Sequence, residues 1–354
     1  MSVACFDTLI GLSKVQYTCF NDSPPDGTEG TIAYDTSDSG YHLTDTDYGV
    51  TVIEQCEMAG WCLLQSAKDQ AITEVKTDLR AALRSKYDGG ISPYSGLIGQ
   101  ITSSGVLGVS SQFLGLRIRT KNQKGAKLVI KKLYVGVSLS GTYSVTITSN
   151  DPLFVSPAPI AVTYTAGSFN GITLTSPIEL PLFSRSCNDQ YLEYYISFDR
   201  GTAVPLNNKI TCCGAQPGWM KHIAVSGFQA TDNIGTGGNF SSVGYGLAID
   251  AYMACEELDW VCELEELNGY YLKDVLARAI QQRGAAIAIS AMIDTLQVNP
   301  CTGYQLENLN AKRTYLNKRS ADNIAWISQN MPTGVTDCFS CKPKSMFHRS
   351  NQIV

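Results

Sequence analysis

The one metal-like spacing in the chain is Cys338-Phe339-Ser340-Cys341. Two thiolates with two residues between them can share a tetrahedral zinc ion, and a closed structural site needs two more ligands. Cys187, the adjacent Cys212-Cys213, or Cys255 with Cys262 could supply them. No second CxxC completes the pattern. The twelve cysteines are therefore expected to be small, buried, reduced thiols. A structural zinc at Cys338 and Cys341 is the sharper alternative, and no other cofactor is expected. A redox role for the CxxC would need a βαβ context that is absent around it.

Histidine is scarce: His42, His222 and His348. His222 lies in a stretch read as a strand, without serine or cysteine context for a triad, and reads as a hydrogen-bonded structural residue. No HExxH, GxSxG or GxxxxGK[ST] occurs, and Gly235 to Phe240 lacks the last glycine of a dinucleotide fingerprint and a helix to follow it. Asp45-Thr46-Asp47-Tyr48-Gly49 begins like a calcium loop but lacks the third ligand position and the closing glutamate. These residue types point away from an enzyme. A hydrolase would require a pocket converging on His222.

Charge is the stronger signal. Of 354 residues only 17% are charged while 44% are hydrophobic, below the roughly 25% charged residues of ordinary domains. Net charge is −5, which argues against a strongly basic nucleic-acid binder. From Gly89 to Asn150 there is no Asp or Glu, but Arg117, Arg119, Lys121, Lys124, Lys127, Lys131 and Lys132 are present. Residues 21 to 57 carry acids (among them Asp35, Asp38, Asp45 and Asp47) and no Lys or Arg. Glu256, Glu257, Asp259, Glu263, Glu265 and Glu266 form a second acidic cluster. Like charges crowded on one chain repel, so opposite patches are expected to meet within a subunit or between neighbours. Arg117, Arg119, Lys127, Lys131 and Lys132 are the candidate basic interface; Asp35, Asp38, Asp45 and Asp47 are the candidate acidic one. Identical copies mating in this way make a heterologous contact that closes into a ring or grows into a tube. The basic stretch is also compatible with transient contact with DNA.

The elements that must hold these residues follow from periodicity. Residues 21 to 49 read as a long acidic arm rich in Ser, Thr, Gly and Pro. Trp61, Leu64, Ala67, Ala71, Val75, Leu79 and Leu83 recur at helical spacing, predicting an amphipathic helix over 60–87 that ends at Gly89-Gly90. From about Gln112 to Ala254 the period is two, with Leu128, Ile130 and Lys132 alternating against Val129, Lys131 and Leu133. Seven or eight short strands with regular turn signals read as an antiparallel β-sandwich. Asn268 reads as the N-cap of a further helix whose Gly284 to Met292 tract is apolar nearly all round, so it must be covered on several sides, by the sheet and another helix or by a neighbouring subunit. At nine residues that tract falls short of the roughly 20 a spanning helix needs, and no membrane partner or signal peptide is expected. Thr302 and Gln305 resemble a capping box opening a last helix to about Asn330. The expected fold is α+β: an antiparallel β-sandwich with flanking long α-helices and an extended acidic N-terminal arm. Its segments are 1–59 (arm), 60–100 (helix and linker), 101–262 (sandwich), 263–332 (helices) and 333–354 (tail with CxxC).

Four tracts carry a likeness when read in order: Ser92 to Gln100 (SPYSGLIGQ), Lys124 to Thr148 (KGAKLVIKKLYVGVSLSGTYSVTIT), Gly244 to Leu264 (GYGLAIDAYMACEELDWVCEL) and Asp337 to Pro343 (DCFSCKP). Together they resemble a group of virion structural proteins of tailed phages and prophages of Bacteroidetes-type bacteria. The resemblance implies a non-catalytic assembly role in the neck or tail, among copies of itself and other virion proteins, in a particle built in the host cytoplasm. It transfers no functional residue. A second expectation is a tail-associated module binding a host-surface receptor or carbohydrate through an aromatic patch at Tyr191, Tyr194 and Tyr195.

Overall fold

The structure is a computed structural model that describes residues 4–12, 37–43, 60–89, 95–99, 101–120, 123–166, 171–184, 186, 191–208, 210, 222–233, 238–294, 306–332 and 338–341. It is a mixed α+β fold with mostly antiparallel sheets. The chain divides into two units, one spanning 1–87, 257–332 and 341–354, the other 88–256 and 333–340.

The first unit is helical. Helix α1 (Gly60–Lys86) buries Leu64, Ala67, Ala71, Val75, Leu79 and Leu83 on one stripe and carries Arg84 and Lys86 in its last turn, where cations complement the helix dipole. Helix α2 (Glu257–Cys262) is short; α3 (Leu272–Asp294) and α4 (Leu306–Asn330) are long. The apolar tract of α3 is covered within the chain. Ala285, Ala286, Ala288 and Ile289 form one buried cluster with Leu64 and Ala67 of α1, Leu309 and Leu316 of α4, and Leu43. The helices approach closely at Gly284, where an added Cβ would stand 2.8 Å from Leu43 Cδ1 and 3.6 Å from the Ala67 carbonyl oxygen. Ser320 Oγ on α4 donates to the Ala279 carbonyl of α3 at 2.9 Å, and Tyr87 donates to the Ser328 carbonyl at 3.1 Å.

Asn268 is not an N-cap. With Gly269 it occupies the left-handed region (φ 50° and 78°) at the tip of a hairpin pairing Glu266–Leu267 with Tyr270–Tyr271, and α3 begins at Leu272. Asn-Gly is the preferred pair for such a two-residue turn because both positions need positive φ. The proposed capping box at Thr302 and Gln305 lies outside the described residues.

The second unit holds two larger sheets. Their strands are β1 (Gly96–Ile98), β2 (Phe113–Thr120), β3 (Ala126–Val135), β4 (Gly141–Ser149), β5 (Ile160–Tyr164), β6 (Gly171–Pro181), β7 (Leu192–Asp199), β8 (Ala224–Ala230), β9 (Asn239–Ser241) and β10 (Leu247–Cys255). One sheet has the order β6-β3-β10-β1 and the other β9-β8-β2-β7-β4-β5. Every neighbouring pair in both is antiparallel. Alternate residues of the six-stranded sheet, Leu114, Leu116 and Ile118 with Tyr194, Ile196 and Phe198, are fully buried, as are Leu128, Ile130, Leu133 and Val135 of β3. Buried Asn208 ties the unit together: its Nδ2 donates to the Gly99 and Leu247 carbonyls at 2.8 and 2.7 Å, and its Oδ1 accepts from the Gly246 N–H at 2.8 Å. A buried amide is tolerated when its hydrogen bonds are met in this way.

Among the described residues, four cysteines are paired rather than reduced. Cys5 is bonded to Cys262 within the first unit, and Cys255 to Cys338 within the second. The Cα atoms stand 5.9 and 5.6 Å apart, inside the window a disulfide requires. Cys338 therefore spends its sulfur on Cys255 and does not act with Cys341 as a zinc ligand in this state. Among the described residues no group of three or more His, Cys, Asp or Glu is placed to hold a metal ion.

Candidate interaction surface

Strand β2 alternates Leu114, Leu116 and Ile118, which are buried, with Gly115, Arg117 and Arg119 on the opposite face. Strand β7 does the same with Glu193, Tyr195 and Ser197. The antiparallel register sets Arg119 against Glu193 and Arg117 against Tyr195, and on the other side Arg117 against Ser226 of β8. Two arginines, one carboxylate and one phenol thus meet on the face opposite the buried leucines.

Glu193 is the hub. Its Oε1 lies 3.2 Å from Arg119 Nε and 3.8 Å from Arg117 Nη1, and its Oε2 accepts the Tyr195 hydroxyl at 2.5 Å. Arg117 Nε donates to Ser226 Oγ at 3.2 Å. Each guanidinium also lies over a ring: Arg117 is 3.6 Å from the centroid of Phe240, and Arg119 is 3.8 Å from that of Tyr191. Phe240 is 43% exposed and Tyr191 40%. Tyr195 packs edge-on against Phe228 at 5.4 Å. Burial first, then the hydrogen bond to Glu193 and its negative charge, raise the Tyr195 phenol well above its ordinary value, with Arg117 and Arg119 pulling the other way. The phenol remains a donor throughout the neutral range.

The three lysines of the expected basic interface lie on the other sheet, along β3. Lys127 pairs with Glu179 of β6 at 2.9 Å. Lys131 lies in a bulge: the ladder to β10 steps from Lys132 opposite Asp250 to Ile130 opposite Ala251, and the ladder to β6 steps at the same place. Strict alternation would send Lys132 to the face of Leu128 and Ile130. The extra residue lets both lysines stay partly exposed between buried Ile130 and Leu133. Lys131 Nζ sits 4.5 Å from the Tyr252 ring centroid.

Arg117, Arg119 and Lys127 each have an acid from their own chain. On the acidic side, Asp38 accepts from Thr8 Oγ1 at 2.6 Å, while Asp35, Asp45 and Asp47 lie outside the described residues. In the helical unit, Arg283 bridges Glu74 and Asp78 of α1 at 3.2 and 2.7 Å, and Arg84 meets Glu257 at 2.7 Å.

Tyr191, Tyr194 and Tyr195 do not form one patch. Tyr194 is buried with its hydroxyl donating at 2.5 Å to the Pro181 carbonyl; Tyr195 is largely buried, and Tyr191 is open. Period two separates Tyr194 from Tyr195. Glu193, Ser226 and Phe240 escaped the sequence reading, although Glu193 sits two residues before Tyr195 on an alternating strand.

A second surface lies between β4 and β5. Asp151 fixes its start: Oδ1 accepts from Ser186 Oγ at 2.6 Å and from the Leu153 N–H at 3.0 Å. Burial opposes the charge of Asp151, but these bonds and one from Ser184 outweigh it, holding the carboxyl below its usual value. Phe154 turns in against Tyr194, edge to face at 5.1 Å. Leu153 and Val155 on either side are left 74% and 70% exposed, in a segment that also contains Pro152, Pro157 and Pro159.

No helix among the described residues is long and apolar enough to cross a membrane. No family model, no curated protein and no solved structure matches the chain.

Proposed function

We propose that this chain is a non-catalytic structural subunit of a tailed-phage virion, assembling with copies of itself and with other virion proteins as a ring or tube in the neck or tail. In this reading the two sheets of the second unit are the layers of an antiparallel sandwich. The observation that carries the assembly role is the anchored loop presenting Leu153 and Val155. Single exposed apolar residues are ordinary. Two on a loop fixed by an aspartate, an inward phenylalanine and flanking prolines make a pre-ordered apolar knob, which loses little conformational entropy on docking. The order of the four sequence tracts supports the phage assignment. A particle released from its host meets an oxidising medium, in which paired cysteines persist.

The test is the oligomeric state of the purified chain by native mass spectrometry. The wild type should show a closed ring or a growing series, and Leu153→Asp with Val155→Asp should reduce it to monomer without lowering its urea midpoint. A wild type that stays monomeric up to high micromolar concentration removes the assembly reading.

A second reading, a tail-associated module binding a host-surface receptor or carbohydrate, is favoured by the open rings of Tyr191 and Phe240 beside paired arginines.

A further inference from the structure

We propose that the face formed by Arg117, Arg119, Glu193, Tyr191 and Phe240 is a binding site for acidic saccharide: a pyranose ring bearing a carboxylate. The inference rests on the second reading above and names its ligand class.

Arg119 carries the argument. Its guanidinium is fixed from one side by the Tyr191 ring at 3.8 Å and near its stem by Glu193, which faces Nε at 3.2 Å. Both terminal Nη groups have no partner among the described residues, and the side chain is 40% exposed. A stacked, oriented guanidinium with an open fork is pre-organised for the two parallel N–H···O bonds that a carboxylate accepts. Among the described residues the site has two arginines to one glutamate, so an excess positive charge remains for a ligand anion. Glu193 lies beside the fork as an acceptor for a sugar hydroxyl, a group that every pyranose unit supplies. Tyr191 and Phe240, each with one face against a guanidinium, keep exposed ring surface for the C–H side of a pyranose.

A nucleic-acid strand is the rival polyanion. It fits less well, because phosphates offer no hydroxyl donor to Glu193 and the chain as a whole is net −5.

The experiment titrates the full chain with an oligogalacturonate, a neutral dextran oligomer of similar length and an oligothymidylate, read by calorimetry in 150 mM salt. Binding of oligogalacturonate without dextran or oligothymidylate is expected, weakened at least tenfold in Arg119→Gln and in Tyr191→Ala. Each variant should still unfold cooperatively in thermal melts, Arg119→Gln at a slightly lower temperature because Glu193 loses its partner at 3.2 Å. Equal binding of oligothymidylate, lost together with oligogalacturonate in Arg119→Gln, would show a general polyanion site and overturn the inference. Binding of dextran as tight as that of oligogalacturonate, sensitive to Tyr191→Ala but not to Arg119→Gln, would overturn the acidic specificity and leave the carbohydrate-module reading standing. Absence of binding to either saccharide would remove both.

Discussion

Glu193 shows how much one side chain organises on this surface. It faces two guanidinium groups and accepts from a phenol whose ring is packed against Phe228. Tyr195→Phe deletes only the hydroxyl and leaves the edge-on contact. It should cost about 1.5 kcal/mol, the scale of a hydrogen bond to a charged group, seen as a lower urea midpoint at unchanged slope. The pH dependence has a definite sign. Burial and Glu193 raise the phenol's folded pKa. The associated stabilisation is therefore complete below the unfolded value of about 10 and is lost as pH rises through the folded value. The gap in unfolding free energy between wild type and Tyr195→Phe should hold constant from pH 7 to 9 and narrow above pH 10. A constant gap to pH 11 would contradict the assigned environment of Tyr195.

At the level of elements, the α3 tract is where composition and covering meet. Its all-round apolarity demands burial, and the cover is supplied by α1, α4 and Leu43 of the same chain. Ile289→Ala should cost about 2–4 kcal/mol, and the loss should be the same at all protein concentrations because α1, α4 and Leu43 of the same chain line the space around it. The long helices and most strands were legible in the residue pattern because their burial is one-sided and periodic. Three features were not. Strand β2 hides its alternation behind Gly115 and two arginines, which read as charge rather than as the outward half of a strand. The bulge at Lys131 adds a residue to β3, and a count of two cannot anticipate an insertion whose reason lies in the register of two partner strands. Asn268-Gly269 carries the signature of a hairpin turn, yet an asparagine before an apolar run also carries that of a helix cap. The acidic partners of the basic stretch were also hidden by distance along the chain, since Lys127 finds Glu179, and Arg117 and Arg119 find Glu193, only once strands pair.

For the molecule as a whole, segregation of charge along the sequence does not amount to segregation in space: the acid-free stretch from Gly89 to Asn150 is partly neutralised by strands that follow it. The paired cysteines act at the same scale. Each bridge of this kind contributes about 2–5 kcal/mol, chiefly by restricting the unfolded chain, with the mechanism model-dependent. Their spans also interlock. One covalent ring runs from Cys5 to Cys262 and the other from Cys255 to Cys338, so the second starts before the first has closed. Any single peptide-bond cleavage between Cys5 and Cys338 therefore falls inside at least one ring and leaves the two fragments chained together. Protein nicked once by a protease should migrate as a full-mass species in denaturing gels without thiol and fall into two bands when dithiothreitol is added. A chain with this wiring can be cut once anywhere along that span and still hold both of its parts together.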